Sequence, residues 1–418
     1  MVSFLRRSGI IVVALVLGLA WLWTLVPAAR AQLGTGGEKL ARVRISPEME
    51  LLAGVLTQTS WIKERGPSGE GNEYFRALKE FMAAYKDHRA VKIAQSLTNR
   101  GFAFDAPIAF ICHCGPLPDL NLDHEYSGYV VGRAGGREIL EEFRIALRDL
   151  AGESKFLEFF HSWEPEFKRY VDDATEGFDF NKVVEWLESF FGWEAQEFHI
   201  ILAPAMFPGG GYGATITTRD GKTIAYQVVR ARGVSEKAPD FPSGRSLEML
   251  TLHELGHSFV NPAMDMHSAR VSGLGELFKP VEGRMRDMAY PNVHVFMNEQ
   301  VLRAVTALAA RDLYGEADYE AAVDREQASG FYLTELVIEE LEVYRASRDR
   351  YPRFTDFVPH LLNRLERYQA ERAQGRTDGW SQKTADWLRG KAFLVAGFLL
   401  IVVGLAVKLR RGRPEHMK

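Results

Sequence analysis

The chain has 418 residues, with 51 basic and 55 acidic side chains and a net charge of −4. That balance excludes an extended cationic surface for nucleic acid. There is no internal repeat and no long low-complexity tract, and the length is enough for one large domain or two modest ones.

In chain order, residues 1–31 read as a secretory signal peptide. Arg6 and Arg7 make a positive start, Gly9 to Val26 is apolar, and Ala29-Arg30-Ala31 is a small-residue cleavage site. An uncleaved anchor is the alternative, because the apolar run is long for a signal core. Residues 32–195 are expected to form a mainly helical region. Its helices are predicted over Pro47–Ile62, Asn72–Thr98, Arg137–Leu150, Lys155–Ala174 and Asn181–Phe191, with Tyr74, Phe75, Leu78, Phe81 and Met82 marking one apolar face. Ala106–Cys114 (APIAFICHC) reads as a buried strand. It carries the two cysteines, Cys112 and Cys114, on one face as buried thiols. A local disulfide, or a Cys-His-Cys metal site with His113, is the alternative. A fold of this size does not rest on two cysteines.

Near His199 the composition changes to strands and glycine. His199–Ala203 reads as a strand and Gly209–Gly213 as a loop. A hairpin follows, Ala214–Thr218 and Thr223–Arg230, turning at Asp220-Gly221. The glycine run joins two strands rather than a strand and a helix, so it is no dinucleotide cradle. The hairpin is expected to offer a strand for backbone pairing with a substrate.

Ser246–Val260 (SLEMLTLHELGHSFV) follows as a helix. Leu247, Leu250, Leu255 and Phe259 form its apolar side, Ser243 or Ser246 caps it, and Asn261-Pro262 ends it. It carries His253-Glu254-Leu255-Gly256-His257, the pattern H-E-x-x-H. Residues four apart share one helix face, so both imidazoles reach one cation. Glu254 lies about 100° round the helix, placed to take a proton from an attacking water. Two histidines leave a catalytic zinc one protein ligand short. The metzincin continuation fails, since its glycine and histidine positions hold Val260 and Ala263. Asn292–Leu313 reads as a later helix with Glu299 in its middle. The rivals are Glu276 and Glu282, in a segment that reads as loop (SGLGELFKPVEGR), and His267, just past the helix stop. A rigid helix holds a ligand better than a loop, so Glu299 is the predicted third ligand. Tyr332, Tyr290, Tyr212 and His294 are candidate donors to an oxyanion.

The predicted catalytic region covers 196–367, and a juxtamembrane linker 368–390. A transmembrane helix is expected over 391–411, because Ala392–Val407 is uncharged and apolar between Lys391 and Lys408. Lys408, Arg410, Arg411 and Arg413 put the 412–418 tail on the cytoplasmic side.

His253-Glu254-x-x-His257 followed by Asn298-Glu299 on a later helix resembles the gluzincin metallopeptidases. More narrowly, HELGHSFVNP, NEQVLRAV and GFYLTELVIEELEVYRASRDRYPRFTDFVP resemble the bacterial DUF4932 family of uncharacterised proteins, over roughly Ser46 to Leu365. The resemblance implies a zincin-like catalytic half and a peptidase-like site at His253, Glu254, His257 and Glu299. One departure stands out: many gluzincins have an aspartate four residues after the glutamate, bracing the first histidine, and this chain has Arg303. The expectation is an α+β, mostly helical protein with a small sheet or hairpin beside the H-E-x-x-H helix. It is expected to be a membrane-anchored, extracytoplasmic Zn2+ metallopeptidase acting on peptide or protein substrates, with Glu254 as general base. The alternatives are a catalytically silent zincin-fold receptor or scaffold, and a metal hydrolase of a non-peptide bond.

Overall fold

The computed structural model of the chain describes residues 42–61, 72–195, 197–206, 211–235 and 237–375. The expected signal peptide, transmembrane segment and tail lie outside the described residues. Among these residues, no helix is long and apolar enough to cross a membrane. The fold is α+β and mostly helical, with a four-stranded sheet and a two-stranded ribbon.

β1 (Arg42–Arg44) leads into α1 (Pro47–Thr57). Ser46 caps α1 by accepting from the Met49 amide at 3.4 Å, and Pro47 suits the first turn, where its missing N–H has no helical partner to lose. The single helix expected over Asn72–Thr98 is two, α2 (Glu73–Ala83) and α3 (Arg89–Asn99). The apolar face of Phe75, Leu78 and Met82 has no successor in Lys86-Asp87-His88, and His88 Nδ1 caps the new helix by accepting from Ala90 at 3.1 Å. The strand expected at Ala106–Cys114 is instead a helix, α4 (Asp105–Cys112). Periodicity does not separate a short buried strand from a short buried helix. Pro107 lies in the first turn, where a helix tolerates it. Both cysteines are free, Cys112 buried and Cys114 half-buried, and His113 turns its Nδ1 to the Ala109 carbonyl at 2.7 Å.

α5 (Gly128–Ala134), α6 (Arg137–Glu153), α7 (Phe156–His161), α8 (Glu164–Thr175) and α9 (Phe180–Phe191) follow. α7 and α8 divide the one helix expected over Lys155–Ala174, because Pro165 begins a new helix rather than continuing an old one. β2 (Glu197–Ala203), β3 (Tyr212–Thr217) and β4 (Thr223–Arg230) join β1 in the order β1-β2-β4-β3. β1 and β4 run parallel to β2, while β3 runs antiparallel to β4 with Thr217 opposite Thr223. The turn falls at Asp220-Gly221 as the dipeptide predicts, and β3 is left at the sheet edge.

The ribbon of β5 (Gly233–Ser235) and β6 (Ala238–Asp240) leads to α10 (Gly244–Asp265). The segment expected as loop folds into short helical pieces: α11 (Ser268–Ser272), α12 (Gly275–Phe278), a 3-10 turn (Lys279–Val281) and α13 (Glu282–Asp287). Burial of Leu274, Leu277, Phe278 and Met285 holds these turns despite their glycines and proline. α14 (Val293–Tyr314), α15 (Glu316–Ser329), α16 (Thr334–Ala346) and α17 (Phe354–Ala373) complete the described chain, so the first residues of the expected linker are helical.

Two buried clusters hold these elements. One gathers the early helices and much of the sheet; the other gathers α9, most of α10 and α14–α17. α10 gives Leu247 to the first and Leu252, Leu255 and Phe259 to the second, so it runs between them. α10 does not stop at Asn261-Pro262. An internal proline costs about 3 kcal/mol, and burial of Ala263 and Met264 in the second cluster offsets that loss.

Candidate metal centre

α10 and α14 cross antiparallel and are pinned at both ends. Near the start of α10, buried Glu248 meets the Tyr314 hydroxyl at the end of α14, and Lys182 Nζ and the Asp179 amide of the α9 segment, at 3.0 and 2.9 Å. At the other end, Asp265 accepts from His294 Nε2 at 2.7 Å. Between the pins the helices touch at Gly256. A Cβ there would come within 2.4 Å of Leu302 Cδ1. The glycine inside H-E-x-x-H is therefore what lets α14 approach.

That approach brings Glu299 to the histidines. His257 Nε2 is 3.2 Å from Glu299 Oε1, and His253 Nε2 is 3.6 Å from Glu299 Oε2. One donor atom from each residue lies within 4.8 Å of the others, and among the described residues no other group of histidine, cysteine and acidic side chains forms such a cluster. Four ligands at the usual zinc distance of about 2.0–2.1 Å make a tetrahedron with edges of roughly 3.3 Å. The donor set, two imidazoles and a carboxylate, and its spacing fit such a cation. The rivals are elsewhere: Glu276 pairs with Lys279 and Glu282 with Arg286 on the surface, and His267 starts α11.

Glu254 is buried beside this cluster, under the edge strand. Its carboxylate receives the Gly213 amide of β3, and a Cβ on Gly213 would come within 2.5 Å of the Glu254 carbonyl oxygen. Thr215 Oγ1 donates to Ser258 Oγ at 2.7 Å, a second tie between β3 and α10. Gly211, in the glycine run expected as a loop, lies against the same side chain, where an added Cβ would come within 2.6 Å of Glu254 Oε1; residues 207–210 lie outside the described residues.

Electrostatics separates the two histidines. Burial pushes His253 down to about 3, against the pull of Glu299. Burial also lowers His257, but its hydrogen bond and attraction to Glu299 prevail and raise it to about 9. Burial raises Glu299, yet His257, His253 and Arg303 hold it well below the carboxylate range. The one close contact between them thus raises His257 and lowers Glu299. Burial pushes the Glu254 carboxyl up to about 7, in spite of His257.

Two contacts around the cluster were not anticipated. Asn261 Oδ1 faces His257 Nδ1 at 3.3 Å. Arg303, expected only as a missing aspartate, braces Glu299 instead: its Nε donates to Glu299 Oε2 at 3.0 Å. Both partners stand four residues along their own helix, a spacing that the i,i+4 rule would have flagged. Of the predicted oxyanion donors, Tyr332 gives its hydroxyl to the Leu277 carbonyl at 2.7 Å, His294 is held by Asp265, and the Tyr212 ring packs against the first cluster. Tyr290 is joined to the centre, its oxygen accepting from Arg303 Nη2 at 3.0 Å.

A family model described as a domain of unknown function, DUF4932, matches residues 53–364. The chain belongs to that family. The matched span holds all four residues of the centre, together with Arg303 and Asn261. No curated protein and no solved structure is detectably similar to the chain.

Proposed function

We propose that this DUF4932 chain is a zinc-dependent metallopeptidase of gluzincin type, with a zincin-like catalytic half. His253, His257 and Glu299 would hold the cation. The observation that carries the reading is the meeting of these three donors next to a buried glutamate beneath the edge strand β3.

A divalent cation at such a centre lowers the pKa of a water and polarises a carbonyl oxygen. The chain's own residues supply the rest. Glu254, with a carboxyl near neutrality, takes the proton of the attacking water and passes it to the leaving amine. The outer edge of β3 pairs with the substrate backbone, aligning an extended peptide along α10. Tyr290 stands as the donor for the developing oxyanion. The charged start, apolar run and cleavage site at one end, and the apolar run from Ala392 to Val407 at the other, support a membrane-tethered enzyme acting outside the cytoplasm.

The test uses the full-length protein. Zinc content is measured for wild type and Glu299→Ala, and peptide-library cleavage for wild type and Glu254→Gln. We expect zinc near one per chain in wild type and Glu254→Gln, little in Glu299→Ala, and cleavage reduced about 100-fold or more in Glu254→Gln. Equal cleavage by wild type and Glu254→Gln would overturn the mechanism. Zinc without any peptide cleavage would favour a hydrolase of another bond or a silent receptor.

A further inference from the structure

We infer that Arg303 is a positioning residue for Glu299, holding one carboxylate oxygen so that the other alone is presented to the cation. The inference rests on the metal-centre reading above and extends it to how the third ligand is aimed.

All three guanidinium nitrogens of Arg303 are committed. Nε donates to Glu299 Oε2 at 3.0 Å, Nη1 to Glu326 Oε2 at 2.5 Å, and Nη2 to the Tyr290 hydroxyl at 3.0 Å. The guanidinium carbon lies 4.2 Å from the Phe331 ring centroid, a stacking contact from below. These four partners come from α14, α15, the segment before α14 and the segment after α15, so the fork is fixed from four sides. Glu299 Oε2 takes this bond while lying 3.6 Å from His253 Nε2, and Oε1, which accepts nothing from the arginine, faces His257 Nε2 at 3.2 Å. Glu326 is itself buried, and its other oxygen accepts from Arg325 Nε at 3.3 Å, so Arg303 belongs to a wider ion-pair network beside the centre.

This arrangement differs from a surface ion pair in what it constrains. A carboxylate on a freely turning glutamate binds a cation through one oxygen or both. Here the rigid fork takes up a lone pair of Oε2 and weights the choice toward Oε1. Lysine in the same place keeps the charge but has a single nitrogen, which cannot serve Glu299, Glu326 and Tyr290 in one fixed plane. A purely structural ion pair would affect only the stability of the fold. A positioning residue also affects the number of ligands around the metal.

The probe is Co2+, whose visible absorption is stronger in four-coordinate than in five-coordinate sites. Full-length wild type, Arg303→Lys and the double variant Arg303→Leu/Glu326→Leu are titrated with Co2+ in competition with a chelator, with folding followed by far-ultraviolet circular dichroism. We expect both variants to bind Co2+ about 10–100-fold more weakly than wild type. We also expect a weaker visible band, as the second oxygen of Glu299 comes into play. The lysine variant carries the test if the leucine pair does not fold. A folded variant that keeps the wild-type band and affinity would overturn the inference and leave the proposed function standing. Wild type that binds no Co2+ would overturn both.

Discussion

Replacing Gly256 with alanine tests whether the close crossing of α10 and α14 builds the metal centre. The added Cβ would lie 2.4 Å from Leu302 Cδ1, against an ordinary carbon–carbon contact of about 3.5–4.0 Å. The shortfall is at least about 1.1 Å. Leu302 is fully buried, with Leu187 also near the added carbon, so its side chain has no solvent to swing into. Overpacking of this kind costs about 1–3 kcal/mol. Alanine recovers up to about 1 kcal/mol through its better helix propensity. The net effect on the fold is a loss of about 0–2 kcal/mol. The centre is more sensitive than the fold, because Glu299 lies on the displaced helix one turn from Leu302. If half the shortfall becomes helix separation, the 3.2 and 3.6 Å gaps from Glu299 to His257 and His253 each widen by roughly 0.5 Å, and the larger then exceeds the tetrahedral edge by about 0.8 Å. Thermal melting of the metal-free protein and Zn2+ competition with a chelator measure the two effects. We expect a melting point lower by at most a few degrees and Zn2+ affinity lower by about tenfold or more. Unchanged Zn2+ affinity in a folded Gly256→Ala protein would refute the claim that this glycine sets the crossing.

Zn2+ affinity should also depend on pH, because a cation must displace the proton that His257 keeps up to about 9. Affinity is expected to tighten by about tenfold per pH unit between roughly pH 6.5 and 9 and then level off, with about one proton released per ion; calorimetry in buffers of different ionisation enthalpy counts that proton, and none released would contradict the assignment. Glu50 offers a test remote from the centre. It is fully buried on α1 with the Tyr74 hydroxyl and Ala205 amide beside it, and burial pushes its carboxyl up to about 8. A carboxyl whose folded value lies above its unfolded one favours the fold fully at low pH and progressively less as pH rises through the window from the ordinary 4.5 to about 8. Glu50→Gln should remove that decline and raise the melting point at pH 8 by an amount worth a few kcal/mol (on the order of 1.4 per pKa unit); a variant that melts lower than wild type at pH 8 would disprove it.

Much of the centre is legible locally. The four-residue spacing of His253 and His257 needs only a helix to put both rings on one side, and Asn292 to Leu313 announces a second helix by its cap and its apolar period. The hairpin turn at Asp220-Gly221 is equally local. The two long helices that divide do so on local signals, the His88 cap and Pro165, but other readings fail because burial overrides local signals. The apolar run at Asp105–Cys112 is buried in either conformation, Pro262 is carried through by the packing of Ala263 and Met264, and the glycine-punctuated stretch after α10 is folded by its buried side chains.

Covalent order by itself determined the chemistry on offer: two imidazoles and a carboxyl on one helix, another carboxyl on a second, and a glycine between the histidines. Tertiary structure decided which acid arrives and how it is held. Glu299 meets the histidines because Glu248–Tyr314 and Asp265–His294 pin two helices antiparallel and Gly256 lets them touch. Arg303 became a brace only when Glu326, Tyr290 and Phe331 closed around it. Spacing along a helix is fixed by backbone geometry and can be read from residue order. The approach of two helices depends on side-chain volumes and ion pairs far apart in the chain, and those contacts exist only once the chain has folded.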